Sequence, residues 1–478
     1  MPAWLGLTVV LVMAAAVQLP VALDEAYYWT WSKALSWSYY DHPPGIAAAI
    51  AVARSIFGEG KLALRLISVG ATLVTAGLVW STCRRLVPQQ PLLAGRLGLI
   101  GLSGSLLFVV GHLAATPDPL QGLSLALAAW MMVRALQPDP HPWVGAGAAA
   151  VLTAAVLFKH STALLAGGAL LVLLLDAQGR RALLRPQVLI GLGLGGLCLT
   201  PWLWTDLSSG DGATAFQAAR VAHGGAQRGL LGLPLTLGAL VLAWGPAAAV
   251  GSFGVWSRLA GRGPLAVRAL GGGALALVLG CATAAYLGTG ELNWLTPGLI
   301  FGLPAAVHFA VDHGARGVRG FAGASALTTL VSLVVLLHIV YPFAPLAAKK
   351  DRTMRAAGYA GAVQVAQQVA QQYEARLIVT RSYQMASQLR FHMQDALPVL
   401  EIGSKRRSQY DRWPRPSACP GDVVVVAWGR RDLPPGLQGE RLGELVTAER
   451  SRAGRSLDPL FVQALKVTGR ALCAEVEQ

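Results

Sequence analysis

The chain has 478 residues, of which 54% are hydrophobic and 13% charged, about half the charged fraction of an ordinary soluble domain. That composition excludes a typical soluble enzyme. The formal charge of +15 raises the question of a nucleic-acid partner, but no basic stripe interleaves with stacking aromatics as a nucleic-acid groove requires.

Apolar runs of about 20 residues, long enough at 1.5 Å per residue to cross a hydrocarbon core of about 30 Å, recur through residues 1–343. The first, Pro2 to Leu23, lacks a basic flank and a small-residue cleavage site ahead of a soluble domain, so it reads as a retained helix. Further runs begin near residues 62, 97, 119, 142, 160, 187, 229, 269, 295 and 320, which predicts a polytopic α-helical membrane protein of about eleven spans. Basic residues cluster in every second loop: Arg84, Arg85 and Arg96; Arg134; Arg180, Arg181 and Arg185; Arg258, Arg262 and Arg268; Arg316 and Arg319. The positive-inside rule makes those loops cytoplasmic, with the N-terminus inside and the C-terminus outside. Five cysteines are too few for a disulfide scaffold, and Cys83, Cys198 and Cys281 read as small apolar side chains in or beside the runs.

The first outside loop, Asp24 to Pro44, carries Tyr27, Tyr28, Trp29, Trp31, Trp37, Tyr39 and Tyr40, ring types that favour a membrane interface. Asp24 to Leu35 reads as a short interfacial helix with Asp24 at its N-cap, and Pro43 and Pro44 close the loop rigidly. Asp24 and Glu25 lie where the outer interface meets hydrocarbon. A partly desolvated carboxylate there suits a general base towards a hydroxyl or amine; the alternative is a helix cap and a charge that stops the helix sliding inward. Asp41 and His42 sit at the other end of the loop. They could orient an acceptor, meet a donor phosphate, or share a divalent ion with Asp24 or Glu25, or form only a polar turn.

Thr116-Pro117-Asp118-Pro119 is an outside turn with another carboxylate, and turn chemistry alone accounts for it. Lys159-His160 ends a span; a snorkelling Lys is ordinary there, but it would also meet a lipid-linked phosphate. Thr205 to Gly229, holding Asp206, Asp211, Phe216, Gln217, Arg220, His223 and Arg228, reads as a mobile loop able to close over such a donor. Asn293-Trp294 follows in a short outside loop. Beyond residue 343, strand-like Leu377 to Thr380 and Val423 to Trp428 alternate with helical Ser382 to Met393, which predicts a small extracytoplasmic α/β domain over 344–478 beside a membrane domain over 1–343. Outside the membrane, Cys419 and Cys473 could oxidise to a disulfide contributing about 4 kcal/mol; two unpaired thiols are the alternative.

DEAYYWTW at 24 to 31 and SYYDHPP at 38 to 44 resemble the first extracytoplasmic loop of the GT-C glycosyltransferases. The likeness is strongest to the RgtA/B/C/D-like branch, near the dolichyl-phosphate-mannose protein mannosyltransferases and the lipid A aminoarabinose transferase. TPDP at 116 to 119, FKHSTALL at 158 to 165, AFQAARVAHG at 215 to 224, NWLTPG at 293 to 298, and SYQMASQLRFHM and RSQYDRW in the tail look like the same branch in the same order. The resemblance implies a GT-C fold and transfer of a sugar from a polyprenyl-phosphate donor to an acceptor on the periplasmic face of a bacterial inner membrane. A lipid or lipopolysaccharide-type acceptor stands ahead of the Ser or Thr of a secreted protein. It implies that Asp24 is the catalytic carboxylate, with Glu25 beside it. Asp41, His42, Tyr28, Tyr40 and Asp118 would orient acceptor or donor, and Lys159, His160, Arg220 and His223 would meet the phosphate. The position matching Asp41 is acidic in relatives, whereas the one matching His42 is Lys in the aminoarabinose transferase.

A glycosyl phosphate already carries a good leaving group, so one displacement with a single base suffices, and it inverts the anomeric centre. No cofactor is implied. A divalent metal stays open, with Asp24, Asp41 and His223 as candidate ligands and no HExxH-type signature. The reading from another class, a sugar or lipid transporter, would favour paired interrupted helices in repeated halves, and no internal repeat is evident.

Overall fold

The computed structural model describes residues 3–223, 229–259, 263–347, 350–402, 406–414, 422–429, 437 and 439–468. Each expected apolar run lies on a helix, but the helices differ in length. Lys61–Leu86, Pro186–Ser209, Leu265–Tyr286, Leu292–Asp312 and Gly314–Val340 are long and apolar enough to cross a membrane, and the number reaches eight if each bent pair of helices counts as one span. Of the remaining expected runs, two fall on helices that stop early, Pro91–Ser103 and Pro142–Leu157, and one on the 19-residue helix Pro117–Ala135. Two of the breaks have local causes. Thr162–Leu175 and Ala177–Leu183 meet at 116° at Asp176, whose carboxylate accepts the Gln178 and Gly179 N–H groups at 2.8 and 3.1 Å and pairs with Arg268 at 2.7 Å, starting a new helix. Gly229–Trp244 and Pro246–Trp256 meet at 118° around Gly245, whose φ of +79° suits glycine, with Pro246 at the first helical position.

The chain divides into two compact units. The first comprises Met1–Ala16, Ser36–Ile46 and Arg65–Leu337. Its helices approach closely through glycine: a Cβ on Gly168 would lie 2.4 Å from the Gly272 carbonyl oxygen, and one on Gly191 2.1 Å from that of Ala146. Apolar lipid supplies little drive for helices to associate, so such backbone contact carries much of the packing.

The second unit comprises Val17–Leu35, Ala47–Leu64 and His338–Gln478. Its five strands, β1 (Leu377–Thr380), β2 (Val399–Glu401), β3 (Asp422–Gly429), β4 (Glu440–Arg452) and β5 (Arg455–Thr468), run in the order β2-β1-β3-β5-β4. The β1 strand pairs in parallel with β2 and β3, and β5 pairs antiparallel with β3 and β4. Tyr359–Gln372 lays Tyr359, Ala362, Val363, Ala366 and Val369 against Val426, Trp428, Val462 and Ala464 of the sheet, an α/β layer with one buried helix face. Leu23 packs on the same core. The helix Leu23–Lys33 therefore belongs to this unit, and its N-cap is Ala22 rather than Asp24.

Three local expectations change. Most first-loop rings are enclosed by protein rather than set at a surface: Trp29, Trp31 and Tyr39 are fully buried, whereas Trp37 is 55% exposed. Residues 205–223 are not a loop, because Pro186–Ser209 continues through its start and Ala213–His223 follows as a second helix. Cys419 and Cys473 lie outside the described residues, while Cys83, Cys198 and Cys281 are free thiols.

Gly191→Ala is expected to cost about 1–3 kcal/mol through overpacking, seen as a lowered melting temperature in detergent. Gly193→Ala on the same helix, where nothing lies within 4 Å of the added carbon, is expected to leave the melting temperature unchanged or raise it.

Candidate functional site

In the first unit, the second half of the first loop is tied to the segment 206–217. Asp206, almost fully buried, accepts the Ser38 hydroxyl at 2.7 Å and the Ala213 and Thr214 N–H groups at 2.8 and 3.0 Å. It thereby caps the helix Ala213–His223 and holds the loop to it. The Gln217 amide donates to the Asp41 carbonyl at 3.1 Å, and Tyr40 packs on Phe216 with centroids 5.0 Å apart. Asp41 is buried and His42 half-buried beside them.

A second set of contacts joins three chain-distant segments. Lys159 Nζ lies 2.6 Å from Asp118 Oδ1, and the Asn293 amide donates to Asp118 Oδ2 at 3.4 Å. Gln121, one turn on from Asp118, donates to the hydroxyls of Ser161 and Thr162, both at 2.9 Å. His160 meets Thr214 Oγ1 at 3.5 Å and the Trp202 ring edge-on at 5.4 Å. Burial, together with the charge of Lys159, pulls the His42 ring from its ordinary 6.5 to about 3, and burial lowers His160 as well. At pH 7 both rings are neutral and meet an anion only as hydrogen-bonding groups.

Lys159 and Arg220 are then the cations of this cluster, and each is already paired. Lys159 and Asp118 keep 9% and 14% of their side-chain surface exposed, whereas Arg220 and its partner Glu291 keep 31% and 51%. Opening the enclosed pair would strand a buried charge at about 3–5 kcal/mol, while an exposed pair is worth about 1 kcal/mol or less. Arg220 is therefore the cation whose carboxylate partner an anion would replace at less cost. Its guanidinium also stands 5.1 Å from the Trp294 ring centre, and Glu291 and Trp294 line a small apolar groove of about 100 Å³ with Leu235, Thr236, Cys281 and Leu295. His223 ends the same helix as Arg220, but its side chain lies outside the described residues. Among the described residues, no three His, Cys, Asp or Glu side chains converge as a metal site.

In the second unit, the two adjacent carboxylates of the helix Leu23–Lys33 diverge. Glu25 is fully buried and accepts the Ala22 N–H at 2.9 Å, so it serves the helix start. Asp24 is exposed and accepts the Gln384 amide at 3.2 Å. Tyr28 is buried with its ring edge-on to Trp31 at 5.0 Å, and Tyr27 packs on Tyr383 at 4.6 Å while its hydroxyl accepts the Gln409 N–H at 2.6 Å.

Sequence reading passed over Arg65, which is 5% exposed inside the apolar helix Lys61–Leu86 and donates to the Leu113 carbonyl at 2.8 Å, just ahead of Asp118. A lone charge within an apolar run was the available signal. Gln384 carried no such signal, because a neutral amide on a short amphipathic helix is unremarked without its partner.

Residues 41–204 match the family model described as dolichyl-phosphate-mannose-protein mannosyltransferase, a stretch that includes Asp41, His42, Asp118, Lys159 and His160. No curated protein matches the chain by sequence. Among solved structures the chain is similar to ArnT from Cupriavidus metallidurans bound to undecaprenyl phosphate, with a TM-score of 0.65 and 15% identity over 96% of this chain and 97% of that one. The same protein in the apo state gives a TM-score of 0.64 and 16% identity at the same coverage. A looser neighbour is the Archaeoglobus fulgidus oligosaccharyltransferase in complex with Zn and sulfate, 12% identical over 83% of this chain and 62% of that one, at a TM-score of 0.48. The likeness to ArnT runs nearly the whole length of both chains and establishes a shared fold, the fold class expected from the first-loop motifs.

Because the folded His42 titrates near pH 3 and an unfolded one near 6.5, the unfolded chain takes up a proton below pH 6.5 that the folded chain refuses. The contribution of His42 to stability is thus fully present above that pH and lost as pH falls towards 3. His42→Asn is expected to show a smaller drop in melting temperature between pH 7 and pH 4.5 than the wild type.

Proposed function

We propose that this chain is an inverting membrane glycosyltransferase that moves a sugar from a polyprenyl-phosphate donor to a lipid or lipopolysaccharide-type acceptor at the periplasmic face of a bacterial inner membrane. The observation that carries this reading is the full-length likeness to ArnT, a protein solved with undecaprenyl phosphate bound. The basic residues in every second loop supply the orientation, which sets the first loop and the C-terminal unit outside.

In the proposed reaction an acceptor hydroxyl attacks the anomeric carbon, the bond to the phosphate oxygen breaks, and polyprenyl phosphate leaves with the bonding electrons. Asp24 takes the hydroxyl proton. It suits this role because it is exposed, whereas Glu25 is engaged in the helix start. Arg220 exchanges Glu291 for the donor phosphate and offsets the charge that develops on it. The small groove lined by Leu235, Leu295 and Trp294 takes the first isoprene unit. Asp41 and the neutral His42 orient the sugar, and Lys159 with Asp118 sets the framework behind them. A metal is not required in this scheme, and EDTA is expected to leave transfer intact. The rival reading, transfer to Ser or Thr of a secreted protein, is favoured by the description of the family model over residues 41–204.

Mass spectrometry of envelope lipids and secreted proteins from a deletion strain, complemented with wild type or Asp24→Asn, separates these readings. A sugar-sized mass restored to the lipid fraction by wild type alone supports the proposal. The same mass on protein favours the rival, and no difference in either fraction, with the protein well expressed, points to transport or to an acceptor outside both fractions. Asp24→Asn is expected to lower turnover about 10²- to 10⁴-fold with the melting temperature unchanged. Arg220→Ala is expected to raise the KM for the donor at least tenfold, as loss of a charge-assisted hydrogen bond worth about 1.5–3 kcal/mol requires.

A further inference from the structure

We infer that Gln384, far along the chain from the first loop, is a positioning residue for the Asp24 carboxylate in sugar transfer; this rests on the reading of Asp24 as the base. Both residues belong to the second unit. The Gln384 amide nitrogen donates to Asp24 Oδ1 at 3.2 Å across 360 residues of sequence, and among the described residues this is the hydrogen bond the Asp24 side chain makes. An exposed carboxylate turns freely about its two side-chain bonds. One amide N–H on Oδ1 fixes that rotation and leaves Oδ2 open to an acceptor hydroxyl, the geometry a general base needs. The donor is neutral, so it orients the carboxylate with less loss of basicity than a Lys or Arg partner would impose.

The neighbouring contacts separate this role from a structural one. Gln388, one turn further along Tyr383–Met393, is fully buried, and its amide donates to the Val21 and Ala22 carbonyls at 3.1 and 3.2 Å. Tyr383 packs on Tyr27, and the Gln409 N–H reaches the Tyr27 hydroxyl. These contacts hold the start of Leu23–Lys33 in place without Gln384. A hydrogen bond between a half-buried amide and an exposed carboxylate adds little to folding, so its effect falls on the orientation of Asp24.

The test uses purified full-length protein carrying Gln384→Ala, Gln384→Glu or Gln384→Lys, beside Asp24→Asn. Donor and acceptor are the polyprenyl-phosphate-sugar and envelope extracts of the deletion strain, which retain both unreacted. Gln384→Ala is expected to lower kcat about tenfold with donor KM and melting temperature near wild type. Gln384→Glu, of the same shape, is expected to move the acidic limb of the kcat profile to higher pH, and Gln384→Lys to lower pH, as a charge beside the base demands. Wild-type kcat and an unmoved acidic limb in all three variants, with Asp24→Asn inactive, would overturn the inference alone. Losses of kcat that track a falling melting temperature in all three would overturn it in favour of a structural role. Turnover retained by Asp24→Asn would instead remove the base reading on which it rests.

Discussion

A buried charge must meet an opposite charge or hydrogen-bonding groups, and the Asp118–Lys159 pair imposes that condition on the first unit. Its two ends come from the start of Pro117–Ala135 and the turn before Thr162–Leu175, so those helices cannot shift independently. Arg65 on the Leu113 carbonyl, Gln121 on Ser161 and Thr162 and Asn293 on the free oxygen of Asp118 all brace the same junction. Lys159 is thereby drawn into the framework, and the exposed Arg220–Glu291 pair is left as the adjustable electrostatic element.

Four carboxylates serve the backbone. Asp176 and Asp206 accept backbone N–H groups at new helix starts, Glu25 does so at Ala22, and Asp351 receives the Thr353 N–H at 2.9 Å and His338 Nε2 at 2.9 Å. Each serves chain geometry, since a capped helix end needs an acceptor within its first turn. Asp24 differs: among the described residues no backbone N–H reaches its side chain, its hydrogen-bond partner is the Gln384 amide, and it is exposed. Adjacent residues of like charge thus separate into one that shapes the helix and one that stays available for chemistry.

Much of the fold was legible in the sequence because apolar period and length are one-dimensional signals. The runs near residues 62, 142, 187 and 269 start within a few residues of the helices observed, and Leu377–Thr380 and the helix after Ser382 were placed closely. Span length was less legible, because the breaks at Asp176 and Gly245 depend on a side-chain cap and a positive φ that hydropathy does not register. Residues 205–223 misled through their Gly and Ser content, which hid a carboxylate cap at Asp206. For the candidate site, motifs named the residues but not their partners. Whether Lys159 and Arg220 are paired, whether His42 carries charge and whether Glu25 is spent on a cap are properties of contacts made across the fold.

The membership of Leu23–Lys33 in the second unit also bears on timing. This helix leaves the ribosome early, yet the residues that hold its first turn, Gln384, Gln388 and Gln409, follow some 360–380 residues later. At about 5–20 residues per second the interval is on the order of 20–80 s. Throughout it, the Asp24 carboxylate lacks the Gln384 amide. Until the tail has been made, the start of Leu23–Lys33 therefore lacks the contacts that fix it.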